Sequence, residues 1–160
     1  MVAAYHPAMP EPDEPTTYRG MPAWGFAYPG ELRDRLTALA LDGTKIATAG
    51  LAVDHVVDGG LPPRPGDRSV LIDSALRPVA VVETTRVEFS TISLVGDDFA
   101  RAEGEGFADA TDWREAHERF WNAHIDEMRE GLRDPAFTLT DSTVVVCEWF
   151  RVVERLDGAA

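Results

Sequence analysis

Fourteen of the fifteen cationic side chains of this chain are arginine; the fifteenth is Lys45, in Gly43-Thr44-Lys45-Ile46-Ala47-Thr48. Arginine stays protonated at any working pH, whereas a desolvated ammonium can release its proton and act as a base. Thr48 supplies a hydroxyl three residues on, and a hydroxyl becomes a nucleophile once a neighbouring base takes its proton. Residues three apart on a regular strand face opposite sides, so the two cooperate only if Lys45 lies in a turn before the strand begins. The plainer reading is two β-forming threonines and a lysine that complements a helix C-terminus.

A second candidate is Glu103-Gly104-Glu105-Gly106. Glycines beside a carboxylate give the backbone freedom to aim it; one glutamate near a lysine orients the ammonium, and a desolvated one serves as acid or base. The bland alternative is a glycine-terminated helix with two solvated glutamates. Glu83 and Glu148 interrupt apolar strands, and each either points outward or is buried beside a cation such as Lys45 or Arg86. His117 and His124 lie seven residues apart on an apolar helix face, with no third ligand at a metal-site spacing, and read as packed histidines. A glycine-rich phosphate loop, a paired-cysteine metal site and a Gly-x-Ser-x-Gly elbow are all missing. Their absence argues against most nucleotide hydrolases, zinc modules and α/β-hydrolases. No metal and no cofactor is expected.

The charge narrows the partners. The net charge is −13, and residues 81–160 carry eight cations against eighteen carboxylates. Such a surface repels a phosphate backbone, which needs several Lys or Arg contacts to release its counterions. A small neutral or weakly charged ligand suits it better, with RNA at most a weak partner. The single cysteine, Cys147, sits in an apolar run and cannot form an internal disulfide, which fits a reducing cytoplasm. No stretch reaches the ~18–20 apolar residues of a membrane span, and no membrane partner is expected. The sequence does not set an oligomeric state.

The elements that must position these residues follow from periodicity. Residues 1–20, with four prolines, read as a flexible acidic tail, and 21–156 as one domain. Leu32, Leu36, Leu39 and Ala40 predict a helix over 31–41 that Gly43 stops. Strands are expected at 46–57, 69–73, 78–89 and 142–153, and a short helix at 97–102. Residues 111–132 read as one long helix capped by Thr111, with Trp113, His117, Phe120, Trp121, His124 and Met128 on its apolar face. Strands interrupted by helices without βαβ alternation indicate an α+β domain with a mainly antiparallel sheet or small barrel.

In order and spacing these segments resemble the ASCH domain, a PUA-like β-barrel flanked by helices, and its longer subgroup in particular. The resemblance runs from about Trp24 to Val153. It rests on Trp24-Gly25-Phe26, Gly43-x-Lys45-x-x-Thr48, Pro65-Gly66-Asp67, Val82-Glu83-Thr84-Thr85, Phe99 to Gly106, Trp113 to His117 and the Cys147-Glu148-Trp149 strand. It implies RNA binding or ribonuclease activity, or else the amide hydrolysis by which some small members remove acyl groups from the exocyclic nitrogen of cytidine derivatives. By that motif Lys45, Thr48 and Glu105 are the expected catalytic group. Glu83, Glu103 and Arg86 are the expected substrate-binding residues. The small members carry an arginine two residues after the threonine; Gly50 stands there in this chain, so that anchor does not carry over. The expected function is an amidohydrolase of N-acylated nucleosides or similar small N-acyl compounds. The alternatives are an RNA module gripping phosphate with Lys45, Arg86 and Arg151, and a non-catalytic sensor using the same cleft.

Overall fold

The structure, a computed structural model, describes residues 14–156. Residues 1–13 of the expected tail lie outside the described residues, but 14–20 already belong to the body. Thr17–Tyr18 (β1) pairs antiparallel with Met21–Trp24 (β2). Glu14 forms an ion pair with the buried guanidinium of Arg33, which also donates to the carbonyls of Phe26 and Ala27. Gly25 leaves room for that guanidinium, because a Cβ there would lie 2.6 Å from Arg33 Cζ.

One six-stranded mixed sheet organises the chain: beyond β1 and β2 come Arg68–Ile72 (β4), Pro78–Thr91 (β5), Val144–Arg155 (β6) and, at the far edge, Ala47–Leu51 (β3). Strand β4 runs parallel to β2 and antiparallel to β5. Strand β6 pairs along almost the whole of β5 and, on its other side, with β3. The β5–β6 register shifts at Val81/Val82 and again between Thr84 and Arg86, and such bulges bend a strand and increase its twist.

Helices cover the sheet. Glu31–Asp42 (α1) turns Leu36 and Ala40 onto Phe26, Leu71, Val82 and Phe150. Gly43 ends it at φ 84°, where a glycine costs least. A second cluster packs Asp97–Ala102 (α3), Ala110–Ala123 (α4) and Ile125–Leu132 (α5) against Ala47, Ala49, Leu51, Val145 and Cys147. Trp113 and Trp121 are wholly buried in it. Each indole removes on the order of 200 Å² from water, about 5 kcal/mol at about 25 cal/mol per Å². Their Nε1 atoms have no acceptor among the described residues. That costs about 1–3 kcal/mol each, less than the apolar gain.

Two elements differ from the sequence expectation. The strand expected over 46–57 ends at Leu51, and Ala52–Val57 is a helix (α2). Its valines favour a strand, but the Asp54 carboxylate accepts the Leu51 N–H at 3.3 Å and closes the first turn. Asp54 and His55 are buried while Val56 is exposed, the opposite of what strand alternation would give. The long helix is likewise two: His124 leaves helical geometry at φ −115°, ψ 15°. The break lays α5 against α2, where Gly131 meets Val57 so closely that a Cβ would lie 2.4 Å from its Cγ1. The apolar period runs through the break, so pattern alone does not reveal it. The α4 cap is also Asp109, not Thr111: its carboxylate accepts the Asp112 N–H at 2.9 Å. In urea unfolding, Asp109→Ala should lose about 1 kcal/mol and Thr111→Ala much less; equal losses would contradict this capping.

Candidate functional site

Lys45 sits between α1 and β3, in the turn that cooperation with Thr48 requires. Its N–H bonds the Leu39 carbonyl, and the next N–H, of Ile46, bonds the Ala102 carbonyl at the end of α3, each at 3.0 Å. The lysine chain then runs inward, and Nζ meets Glu105 Oε1 at 2.6 Å and the Glu103 carbonyl at 3.4 Å. Both partners of the ion pair have fully buried side chains, and the Phe26 ring centroid lies 5.2 Å from Nζ.

Gly104 makes this approach possible. At φ 67° it crosses over the Thr44–Lys45 backbone, and a Cβ there would fall 2.2 Å from the Thr44 carbonyl oxygen. The two carboxylates beside it part company. Glu105 goes to Lys45, while Glu103 faces His117 Nε2 at 3.3 Å, without the alignment of a hydrogen bond. His117 donates from Nδ1 to the Trp113 carbonyl at 2.8 Å and stacks on the Trp113 ring. Burial pushes the Glu105 carboxyl up; the Lys45 ammonium opposes this and the Glu103 charge adds to it.

Thr48 stands outside that group. Its hydroxyl is buried and has no hydrogen-bond partner among the described residues. In β3 it lies opposite Glu148 of β6, on the face away from Ala47, Ala49 and Cys147. There it lines a narrow void with Gly50, His55, Val146 and Glu148. The void backs onto an open cleft of about 490 Å³, bounded by Trp24, His55, Leu61, Asp67, Thr84 and Glu148 among others. Glu148 accepts a hydrogen bond from Thr84 Oγ1 at 2.6 Å. Burial raises its carboxyl to about 7, the Thr84 bond opposing and the Asp67 charge assisting. Burial alone pulls His55 down.

The structure therefore brings Lys45 and Glu105 together, puts Glu103 beside them facing His117, and places Thr48 in the void behind the cleft. Glu83 is held by Arg68 at 2.9 Å and Arg151 at 2.8 Å, and the two guanidinium groups keep its carboxyl low. Arg86 lies over the Trp149 ring at 4.4 Å and pairs with Glu88. Neither Glu83 nor Arg86 lines the cleft. Thr84 and Glu148 do, and strand alternation is the signal for Glu148: with Cys147 turned to the helices, the next side chain must face the other way. Among the described residues no group of three or more His, Cys, Asp or Glu side chains is placed to hold a metal ion, and no helix is long and apolar enough to cross a membrane.

A mixed sheet with helices about it, carrying a buried Lys–Glu pair at the turn into one strand, is an α+β module, and its family match makes it a PUA-like one. The chain belongs to the ASCH domain family, whose model matches residues 22–154. It is similar to the crystal structure of an ASCH domain from Lactobacillus crispatus JV V101, at 27% identity and a TM-score of 0.71, over 82% of this chain and 79% of that one. It is also similar to a protein from Enterococcus faecalis V583 of the family-model DUF984, at 26% identity and a TM-score of 0.72, over 83% of this chain and 76% of that one. No curated protein matches the chain.

Removing one partner of a buried ion pair strands the other charge, at about 3–5 kcal/mol. Lys45→Met should lose about that much in urea unfolding, and adding Glu105→Leu should restore at least half; a single variant as stable as the parent would show the pair to be structurally idle. Glu148 adds a pH dependence. Its folded value, about 7, lies above the ordinary 4.5, so the folded state binds the proton more tightly and stability falls as pH rises from about 4.5 through about 7. Glu148→Gln should therefore melt several degrees above the parent at about pH 8 and close to it at about pH 4.5.

Proposed function

We propose that this ASCH domain binds an uncharged, nucleoside-sized molecule in the cleft between Trp24 and the Thr84–Glu148 pair. The observation that carries this reading is the cleft itself: about 490 Å³, with an aromatic wall and a hydrogen-bonded polar floor. Its volume falls in the ~300–1,000 Å³ range of small-molecule sites, which combine apolar walls with a few placed polar groups. Its charge argues for a ligand without phosphate. Asp58, Asp67 and Glu148 line it against one cation, Arg68, whose Nε is already on Glu83. The same bookkeeping disfavours RNA, because Lys45, Arg86 and Arg151, the cations expected to grip phosphate, are paired with Glu105, Glu88 and Glu83.

One observation favours hydrolysis of an N-acyl ligand as a second reading, the 2.6 Å contact of Lys45 with Glu105. In that reading Lys45 takes a proton from Thr48 or a water, the new oxygen–carbon bond displaces the amine, and Glu105 passes the proton to the leaving nitrogen. A lysine acting so must be neutral at working pH, against an ordinary pKa of about 10.4. The Thr48 hydroxyl bonds neither partner, so water is the more direct nucleophile.

Titration with cytidine, followed by tryptophan fluorescence, tests the binding reading; saturable quenching that Trp24→Phe diminishes is the expected result, and no change up to millimolar ligand sinks it. Incubation with N4-acetylcytidine tests the second reading. Release of cytidine by the parent and not by a folded Lys45→Ala protein supports it, whereas no release, or equal release by both, rules it out.

A further inference from the structure

At and just behind the floor of the cleft lie two buried polar groups with unused valences, Glu148 and Thr48. Glu148 is 9% exposed and Thr48 1%. Among the described residues Glu148 accepts one hydrogen bond, at Oε1 from Thr84, and Oε2 has none; the Thr48 hydroxyl has none either. Both line the same narrow void behind the cleft. A buried polar atom without a partner costs about 1–3 kcal/mol. The Thr48 hydroxyl is such an atom, and beside it Thr84 holds in place a carboxyl with an oxygen to spare at the wall of the cleft, a pattern in which a ligand supplies what the fold leaves out.

We infer that Glu148 is the specificity-determining residue of the cleft, and that as a carboxylic acid it reads a paired edge on the ligand, one hydrogen-bond acceptor beside one N–H. The inference rests on the cleft being the binding site. The chemistry follows from the two oxygens. In the acid form Oε2–H donates to the ligand acceptor, and Oε1, which already takes the Thr84 hydrogen, uses its second lone pair for the ligand N–H. An ionised carboxylate has no donor, and would face the ligand acceptor with a like-signed lone pair. Amides and amidines carry such an edge, and so does an aminopyrimidine, whose ring nitrogen accepts beside its exocyclic N–H.

The surroundings keep the acid form available near neutrality, since burial raises Glu148 to about 7. The charged or titratable groups that share its cleft come from three places. His55 projects from α2, Asp58 follows that helix, and Asp67 and Arg68 open β4. Asp67 disfavours the ionised form of Glu148. Arg68 is drawn to Glu83. His55 is driven toward its neutral form by burial, and burial raises Asp58. From the neighbouring strands β3 and β5 come the hydroxyls of Thr48 and Thr84; Arg86 of β5 stacks instead on Trp149.

The test is calorimetric titration with cytidine between about pH 6 and about pH 9, on the parent, Glu148→Gln and Glu148→Ala, each first shown to melt cooperatively. The parent should bind with an affinity that is nearly flat at the acid end and falls toward tenfold per pH unit above about 7. Glutamine retains a donor and an acceptor at the same place, so Glu148→Gln should bind across the range without that slope. Alanine should weaken binding about tenfold or more at the acid end. N4,N4-dimethylcytidine, which keeps the ring acceptor but has no N–H, should bind the parent poorly. A parent with no pH slope, a slope that survives in Glu148→Gln, or undiminished binding by Glu148→Ala overturns the inference while leaving the cleft as the binding site. Cytidine that binds none of the three proteins overturns both.

Discussion

Lys45 and Glu105 meet at 2.6 Å with no side-chain surface open to water, and everything around them follows from keeping two such charges together. Desolvating an ion costs several kcal/mol, offset only by close contact and further hydrogen bonds. The chain meets that demand with backbone. A left-handed glycine ends α1, the Lys45 and Ile46 amides are tied to α1 and α3, and a second left-handed glycine lets the 103–105 segment cross directly over Thr44. The turn into β3, the end of α3 and the start of the loop to α4 are thereby fixed relative to one another. The helix that carries Trp113 and Trp121 follows directly from that junction.

Strand alternation then sorts the polar chemistry into two compartments. On one face of β3 and β6, small and apolar side chains pack under the helices, with Cys147 among them and its thiol pushed up to about 12 by burial. On the other face Thr48 and Glu148 line the narrow void behind the cleft, and Glu148 the cleft itself. Neighbouring residues in sequence thus serve different layers. The lone cysteine is held in its inert protonated form while the glutamate after it is poised to titrate.

Much of this was legible beforehand. The helix over 97–102 matches its expected bounds, and α1 differs by one residue, because caps and apolar spacing are local signals. The turn position of Lys45 and its meeting with a Glu103–Gly106 carboxylate were also open to a reader of motifs, since glycines at fixed spacing mark a close backbone crossing. What stayed hidden depends on contacts between distant segments. Helix α2 has strand-forming residues overridden by the Asp54 cap and by packing on α5. The break at His124 leaves the apolar period untouched. Thr48 was read with its sequence neighbour Lys45, although its spatial partner, Glu148, lies one hundred residues on in the next strand.

The crossing at Gly104 also bears on how the chain assembles. Sixty residues separate Lys45 from Glu105, and closing a loop of that length costs about 3–4 kcal/mol of chain entropy before any contact rewards it. The pair is therefore a non-local contact, whose closure entropy must be offset by the packing that the crossing completes. In this conformation the Lys45 side chain has no surface open to solvent, so denaturant, proton or substrate reaches it only once the packing around it opens.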